Sequence, residues 1–274
     1  MDNIMEILEC IDYGLVALIL LEILRDFFLG NQTRNWRETL ANLSIYIGNN
    51  LIGRTAIATT FVVGLYLVQM ISPFSIVTTP WAFVILLVLT DFTYYWKHRV
   101  EHVIRFFWAY HSVHHSSSDY DLSTAYRLPW IGSMLEWVFF VPLVFIGFDP
   151  MLVVVTYNLV LIYQFWIHTQ KIRKLPAFVE GVFNTPSHHR VHHASNGCYI
   201  DKNFGGVFIL WDRIFGTFAP ETETVVFGLT KPIGSINPLV INFLEFVHIF
   251  RDAIRAKSWV ATWHAISGHP GKQS

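Results

Sequence analysis

Thirteen histidines occur in this chain of 274 residues, and most of them fall into three short boxes. "HRVEH" sets His98 and His102 four apart, "HSVHH" supplies His111, His114 and His115, and "HHRVHH" supplies His188, His189, His192 and His193. On a helix, positions i, i+3 and i+4 share a face with Cβ atoms roughly 5–6 Å apart, so HxxxH offers two imidazoles to one point and HxxHH offers three. Neutral imidazole is the commonest protein ligand for a metal. His168, in "YQFWIHT", is a ninth candidate. These nine, His98, His102, His111, His114, His115, His168, His189, His192 and His193, are too many for one ion. A structural zinc takes about four ligands and first-row ions rarely more than about six, so the pattern predicts two ions. His188 lies off the face of its neighbours and is expected to hydrogen-bond rather than ligate. His248, His264 and His269 stand alone and receive no metal role.

The carboxylates point the same way. None of the boxes has a Glu three positions before its His, so the ExxH pairs of ferritin-like di-iron bundles are missing and the site is nearly all nitrogen. Asp91 lies on the helical face of His98, Glu101 is beside His102, and Asp121 and Asp201 follow their boxes. Acids so placed suit an outer role, accepting an imidazole N–H and fixing its tautomer. For Asp91 the alternative is a capping or pairing role. The two cysteines, Cys10 and Cys198, form no CxxC pair and suggest no disulfide framework. A belt of interfacial side chains would use Trp and Tyr and does not require clustered imidazoles.

The rest of the chain must carry these boxes. It is 53% hydrophobic and 14% charged, with a mean hydropathy of +0.41, against about 25% charged residues in an ordinary soluble domain. That composition belongs in a bilayer. A net charge of −1 with no dense basic block argues against nucleic acid as a partner. Apolar runs at Tyr13–Leu29, Leu51–Ile71, Trp81–Trp96, Trp130–Phe148 and Met151–Ile167 each approach the ~20 residues of a spanning helix. Glu22, Arg25 and Asp26 make the first a candidate tilted or interfacial helix with charges pairing on one face. Its acidic start is unlike a cleaved signal peptide. Lys and Arg collect around Arg34 and Arg37, between Lys97 and Arg127, and after Lys171, which predicts that the boxes face the cytoplasm, with Arg54 snorkelling from its span.

The expected fold is therefore an all-α integral membrane protein, multi-pass, with four to five transmembrane helices and a cytoplasmic histidine-rich di-metal cap. Residues 1–90 would be N-terminal spans, 91–220 the catalytic domain including a transmembrane hairpin at 130–167, and 221–274 an amphipathic segment, Val240–Ile266, ending in a loose tail, "HPGKQS". In Tyr199–Phe218, Gly205 and Gly206 would permit a tight bend, while Trp211, Phe215 and Phe218 would either wall the site or pack as plain core.

From Asp91 to Phe218 the boxes resemble the fatty acid hydroxylase and sterol desaturase superfamily of membrane di-iron oxygenases. Within it, "HHSSSDYDLSTAYR", "YQFWIHT", "NTPSHHRVHH" and "YIDKNFGGVFILWDRIFGTF" are most similar to the alkylglycerol monooxygenase branch, which cleaves the ether bond of glyceryl ether lipids. The resemblance implies two Fe ions on His98, His102, His111, His114, His115, His189, His192 and His193, with His168 as a further candidate. It also implies a membrane lipid substrate, O2 and an electron donor, either a tetrahydropterin or a ferredoxin-type protein. Breaking a lipid C–H bond needs an oxidant stronger than any side chain, which a metal pair supplied with O2 and electrons provides. The other readings are a hydroxylase or desaturase of fatty acyl or sterol-like lipids and, from a different class, a non-catalytic zinc-binding membrane protein.

Overall fold

The computed structural model describes residues 2–30 and 34–272. Its elements are helical: α1 (Asp2–Phe28), α2 (Trp36–Gly48), α3 (Arg54–Ile71), α4 (Pro80–Val103), α5 (Arg105–His115), α6 (Trp137–Phe145), α7 (Pro150–Phe165), α8 (Ala177–Val182), α9 (Pro186–His192), α10 (Leu210–Ile214), α11 (Pro238–Arg255) and α12 (Trp259–Ser267). Extended pairing among the described residues is limited to two isolated bridges, Phe183 with Phe208 and Ala194 with Phe227.

The helix starts are written locally. Thr79, Asp149 and Asn237 each accept a backbone N–H from the first turn, and each is followed by Pro80, Pro150 or Pro238, whose fixed φ suits that turn. At Ile104 the backbone swings to φ −110° and ψ 118°, ending α4 and starting α5 at once. That single extended residue turns the "HSVHH" box back towards "HRVEH". Behind them, α3, α4, α6 and α7 close on a core of Phe61, Leu65, Leu86, Phe140, Val153 and Val160. Phe61 stacks on Tyr157 at 5.4 Å.

The apolar runs do not each become one spanning helix. Among the described residues no single helix is long and apolar enough to cross a membrane; only the bent pair Trp36–Ile52 and Thr55–Ile71, meeting at 56°, passes together. The run Trp130–Phe148 is divided into a 3-10 turn at Gly132–Leu135 and the nine residues of α6, which contains Pro142. The run Leu51–Ile71 opens in a π turn at Asn49–Gly53. In α4 the apolar stretch gives way to Asp91, Lys97 and the histidines, which are buried in protein.

The charges of α1 do gather on one face, but their main partners come from elsewhere in the chain. Arg34, buried, reaches Asp26 at 2.9 Å, Glu22 at 3.1 Å and Asp121 at 2.7 Å, and Lys171 adds contacts to Glu22 and Asp26. Arg25 pairs with Asp26 while remaining exposed. The side chain of Arg54 lies outside the described residues. At the other end, the stretch 240–266 forms α11 and α12, broken near Ala256, with Ile241 and Ile249 buried and Phe250, Ile254, Trp259 and Trp263 exposed. Here α11 packs on α5, and Arg105 clamps the pair through Glu245 at 2.7 Å and Asp252 at 2.8 Å. The tail is not loose as far as Lys272, because His269 bonds Asp201 and residues 270–272 form a 3-10 turn.

Candidate metal centre

The structure brings all nine candidate histidines together and sorts them into two groups. His98 and His102 of α4, His111 and His115 of α5, and His192 of α9 have ring nitrogens within 4.8 Å of one another. So do His114 of α5, His168 just past α7, and His189 and His193 at the end of α9. Helical spacing explains the split: one turn separates His111 from His115, whereas His114 points to the neighbouring group.

Hydrogen bonds to the outer ring nitrogens set the tautomers. His98 Nδ1 donates to Phe204 O at 2.9 Å, His192 Nδ1 to Lys202 O at 3.0 Å and His168 Nδ1 to Gln164 O at 2.7 Å. A carbonyl only accepts, so each Nδ1 carries the proton and each Nε2 keeps a bare lone pair. These inner nitrogens crowd together: His98 to His111 at 3.0 Å, His111 to His115 at 3.1 Å, His168 to His114 at 3.2 Å and His168 to His189 at 3.1 Å. Ligands at right angles about an ion, with bonds of about 2.0–2.1 Å, stand about 3 Å apart. Two bare lone pairs at that distance repel unless a proton or a cation lies between them. In addition, Nε2 of His102, His192 and His193 is buried without a hydrogen-bond partner. The residues fit two metal ions.

The electrostatics favour the ligating form. Burial, and then the neighbouring rings, hold the pKa values of His98, His111, His115, His189 and His193 well below the ordinary histidine range, so these imidazoles are neutral near pH 7. Burial alone is the main cause for His168, pushed down to about 4.

The expected outer carboxylates divide. Glu101 Oε2 lies 3.4 Å from His111 Nδ1, and its other oxygen takes Lys97 Nζ at 2.9 Å and the Tyr110 hydroxyl at 3.0 Å. Burial raises the Glu101 carboxyl above its ordinary value, and the Lys97 ammonium opposes it. Asp201 Oδ1 stands 3.6 Å from His102 Nδ1. Asp91 touches no imidazole. It accepts from Val207 N at 2.6 Å, Phe208 N at 3.1 Å and Trp211 Nε1 at 2.8 Å, a capping role for the loop whose Phe204 carbonyl orients His98. Asp121 is likewise given to Arg34 and Ser123, because the buried guanidinium needs the charge. His188 pairs with Glu180 at 3.0 Å and belongs to neither group.

The loop after α9 closes differently from the expected bend. Gly205 and Gly206 are not among the glycines with positive φ, but a Cβ on Gly206 would meet Asp91 Oδ1 at 2.6 Å and one on Gly205 would meet Phe208 O at 2.4 Å. Glycine is required there for close approach. Trp211 and Phe215 pack on Phe92, Tyr95 and Trp96 as core, and Phe218 packs against His188. Rings that face the metal ligands include Phe204, 5.1 Å from His102; Trp108, 5.1 Å from His102; and Tyr120, 5.0 Å from His193. Each is within a few residues of a box or its loop, which was the only signal the sequence offered.

Comparison with known proteins bears on the same stretch of the chain. The fatty acid hydroxylase family model matches residues 83–217, a stretch that contains every ligand candidate. The chain carries a fatty acid hydroxylase domain. It is 44% identical over 185 residues to human alkylglycerol monooxygenase, covering 68% of this chain and 39% of that one. It is 45% identical over 161 residues to the zebrafish (Danio rerio) alkylglycerol monooxygenase, covering 59% and 36%. A more distant relative is an ornithine lipid hydroxylase of Rhizobium tropici, 26% identical over 159 residues, covering 56% and 48%. The chain thus spans about two fifths of the length of the alkylglycerol monooxygenases it matches. No solved structure matches significantly. The α11–α12 hairpin lies beyond the hydroxylase domain.

Proposed function

We propose that this protein is a membrane di-iron monooxygenase acting on a lipid C–H bond, with the carbon beside the ether oxygen of a glyceryl ether as its target. The observation that carries the reading is the paired five- and four-histidine groups, with inner nitrogens bare and converging, inside a domain whose relatives include alkylglycerol monooxygenases. Nine nitrogens and no carboxylate ligand suit iron or zinc alike, and the relatives' chemistry favours iron. When bound, the metal pair would supply the oxidant that reacts with the C–H bond, using O2 and two electrons.

The chain's own residues hold and shield that chemistry. Phe204, Lys202 and Gln164 fix the ring orientations through their carbonyls, so the inner lone pairs are preset. Phe204, Trp108 and Tyr120 put apolar surface around the histidines and exclude water, which would otherwise consume the oxidant. One oxygen atom enters the CH2 beside the ether oxygen, and the other leaves as water with two protons and two electrons from the donor. The resulting hemiacetal loses its ether bond to give a fatty aldehyde and glycerol. A tetrahydropterin or a ferredoxin-type protein would be the donor. The histidine face would lie on the cytoplasmic side, and residues 91–220 would form the catalytic unit after N-terminal membrane helices at 1–90.

The test supplies iron-loaded protein with O2, each donor in turn and a glyceryl ether or its acyl ester analogue. The ether should yield fatty aldehyde; the ester, which has a carbonyl in place of the reactive CH2, should not. Hydroxylated acyl chains or sterols without aldehyde from any ether would replace the ether reading. Two zinc ions per chain with no lipid-dependent O2 uptake would end the oxygenase reading.

A further inference from the structure

The C-terminal segment lies beyond the hydroxylase domain, yet it reaches one of the metal ligands. Arg105, the first residue of α5, donates its backbone N–H to Gly268 O at 3.0 Å and its guanidinium to Ala265 O at 3.2 Å, fixing the end of α12 against the helix that bears the "HSVHH" box. The next residue is His269. Its Nδ1 accepts the Gly271 N–H at 3.2 Å, so the ring proton is on Nε2. That Nε2 donates to Asp201 Oδ2 at 2.9 Å, and the second carboxylate oxygen, Oδ1, faces His102 Nδ1 at 3.6 Å. Behind it, His102 Nε2 is buried, without a hydrogen-bond partner, among the nitrogens of the five-histidine group.

Asp201 is held in this pose at a cost. Its φ is +57°, in the left-handed region that non-glycine residues rarely occupy, as is that of Asn203 two residues on. The Asn203 side chain is tied to His188 O and Ala219 O, so the loop is fastened on both sides of Lys202, whose carbonyl orients His192. The gap between Asp201 and His102 is longer than a hydrogen bond, so the carboxylate acts on the ring chiefly through its charge and its fixed direction.

We propose that His269 is a positioning residue for the five-histidine group: it anchors Asp201, which in turn holds the His102 ring with its proton outward and its Nε2 lone pair towards the metal. The C-terminal turn thereby completes a centre whose ligands all lie more than seventy residues earlier in the chain. This inference rests on the metal reading of that group.

The experiment measures retention of Fe(II) by the full chain against a graded chelator, with melting of the metal-free protein as control. His269→Ala should weaken binding at the five-histidine group roughly 10–100-fold, as loss of an outer partner does elsewhere. His269→Gln, whose amide places a donor near the original Nε2, should restore most of it. The metal-free melting temperature should be alike in the wild type and both variants. Unchanged iron retention in His269→Ala would overturn the proposal, as would equal losses in Ala and Gln accompanied by a lower metal-free melting temperature, since that is a structural role. Failure of the wild type to bind iron at all would overturn the metal reading and the proposal with it.

Discussion

The five-histidine and four-histidine groups share two helices but are backed by different chemistry. Behind the first stand two carboxylates, Glu101 against His111 and Asp201 against His102, along with the carbonyls of Phe204 and Lys202. Behind the second stands the Gln164 carbonyl, with the hydroxyl-bearing ring of Tyr120 beside it, and among the described residues no carboxylate lies within ion-pair distance of its histidines. A carboxylate behind an imidazole raises its basicity and locks its tautomer, whereas a carbonyl does so less strongly. The two positions should therefore differ in how firmly they keep an ion, and in how their metals respond to oxidation, even though their inner nitrogens look alike.

The largest effect should come from removing a ligand of each group in turn. His192→Ala should take the ion from the five-histidine group and His193→Ala from the four-histidine group, each abolishing lipid oxidation if the proposed reaction uses both ions. Metal analysis after gel filtration checks this; loss of both ions from both variants would show that the groups are not separable. A smaller effect belongs to Glu101→Gln, which keeps the shape but removes the charge behind His111. It should weaken retention at the five-histidine group by roughly 10–100-fold and affect the other group far less. Chelator competition reads both groups, and equal weakening of the two would erase the contrast. The smallest effect on metal should come from Asp121→Asn. This change leaves Arg34 with Glu22 and Asp26 as its charged partners beside the Thr39 hydroxyl, costing about 1–3 kcal/mol of stability by denaturant unfolding while metal retention stays at the wild-type level. Loss of metal from the four-histidine group in this variant would give that group a carboxylate after all.

What the sequence made legible was whatever repeats at helical spacing. The nine ligand candidates could be read because an imidazole needs neighbours one turn away, and the starts of α4, α7 and α11 because Thr79, Asp149 and Asn237 stand directly before proline. For Asp91 the capping alternative was legible but its partners were not, because they are two backbone N–H groups and the Trp211 indole, all more than a hundred residues away. Phe204 and His269 were hidden for a related reason. Both sit in loops whose direction is set by tertiary bonds, so periodicity says nothing about where they point. The apolar runs misled at Trp130–Phe148, where Pro142 and a 3-10 turn shorten what composition alone would make a continuous helix.

α5 sends His111 and His115 to one group and His114 to the other, while α9 with its last cap residue sends His192 to one and His189 and His193 to the other. The two ions would thus share their scaffolding, and the rings of His115 and His193, one from each group, lie stacked at 4.4 Å. The first ion to arrive would order both helices, and the second would find its nitrogens already in place, with less entropy left to lose. Loading should then be mildly cooperative: the second ion should bind somewhat more tightly than the first, while each group still keeps its own ion when the other is disabled.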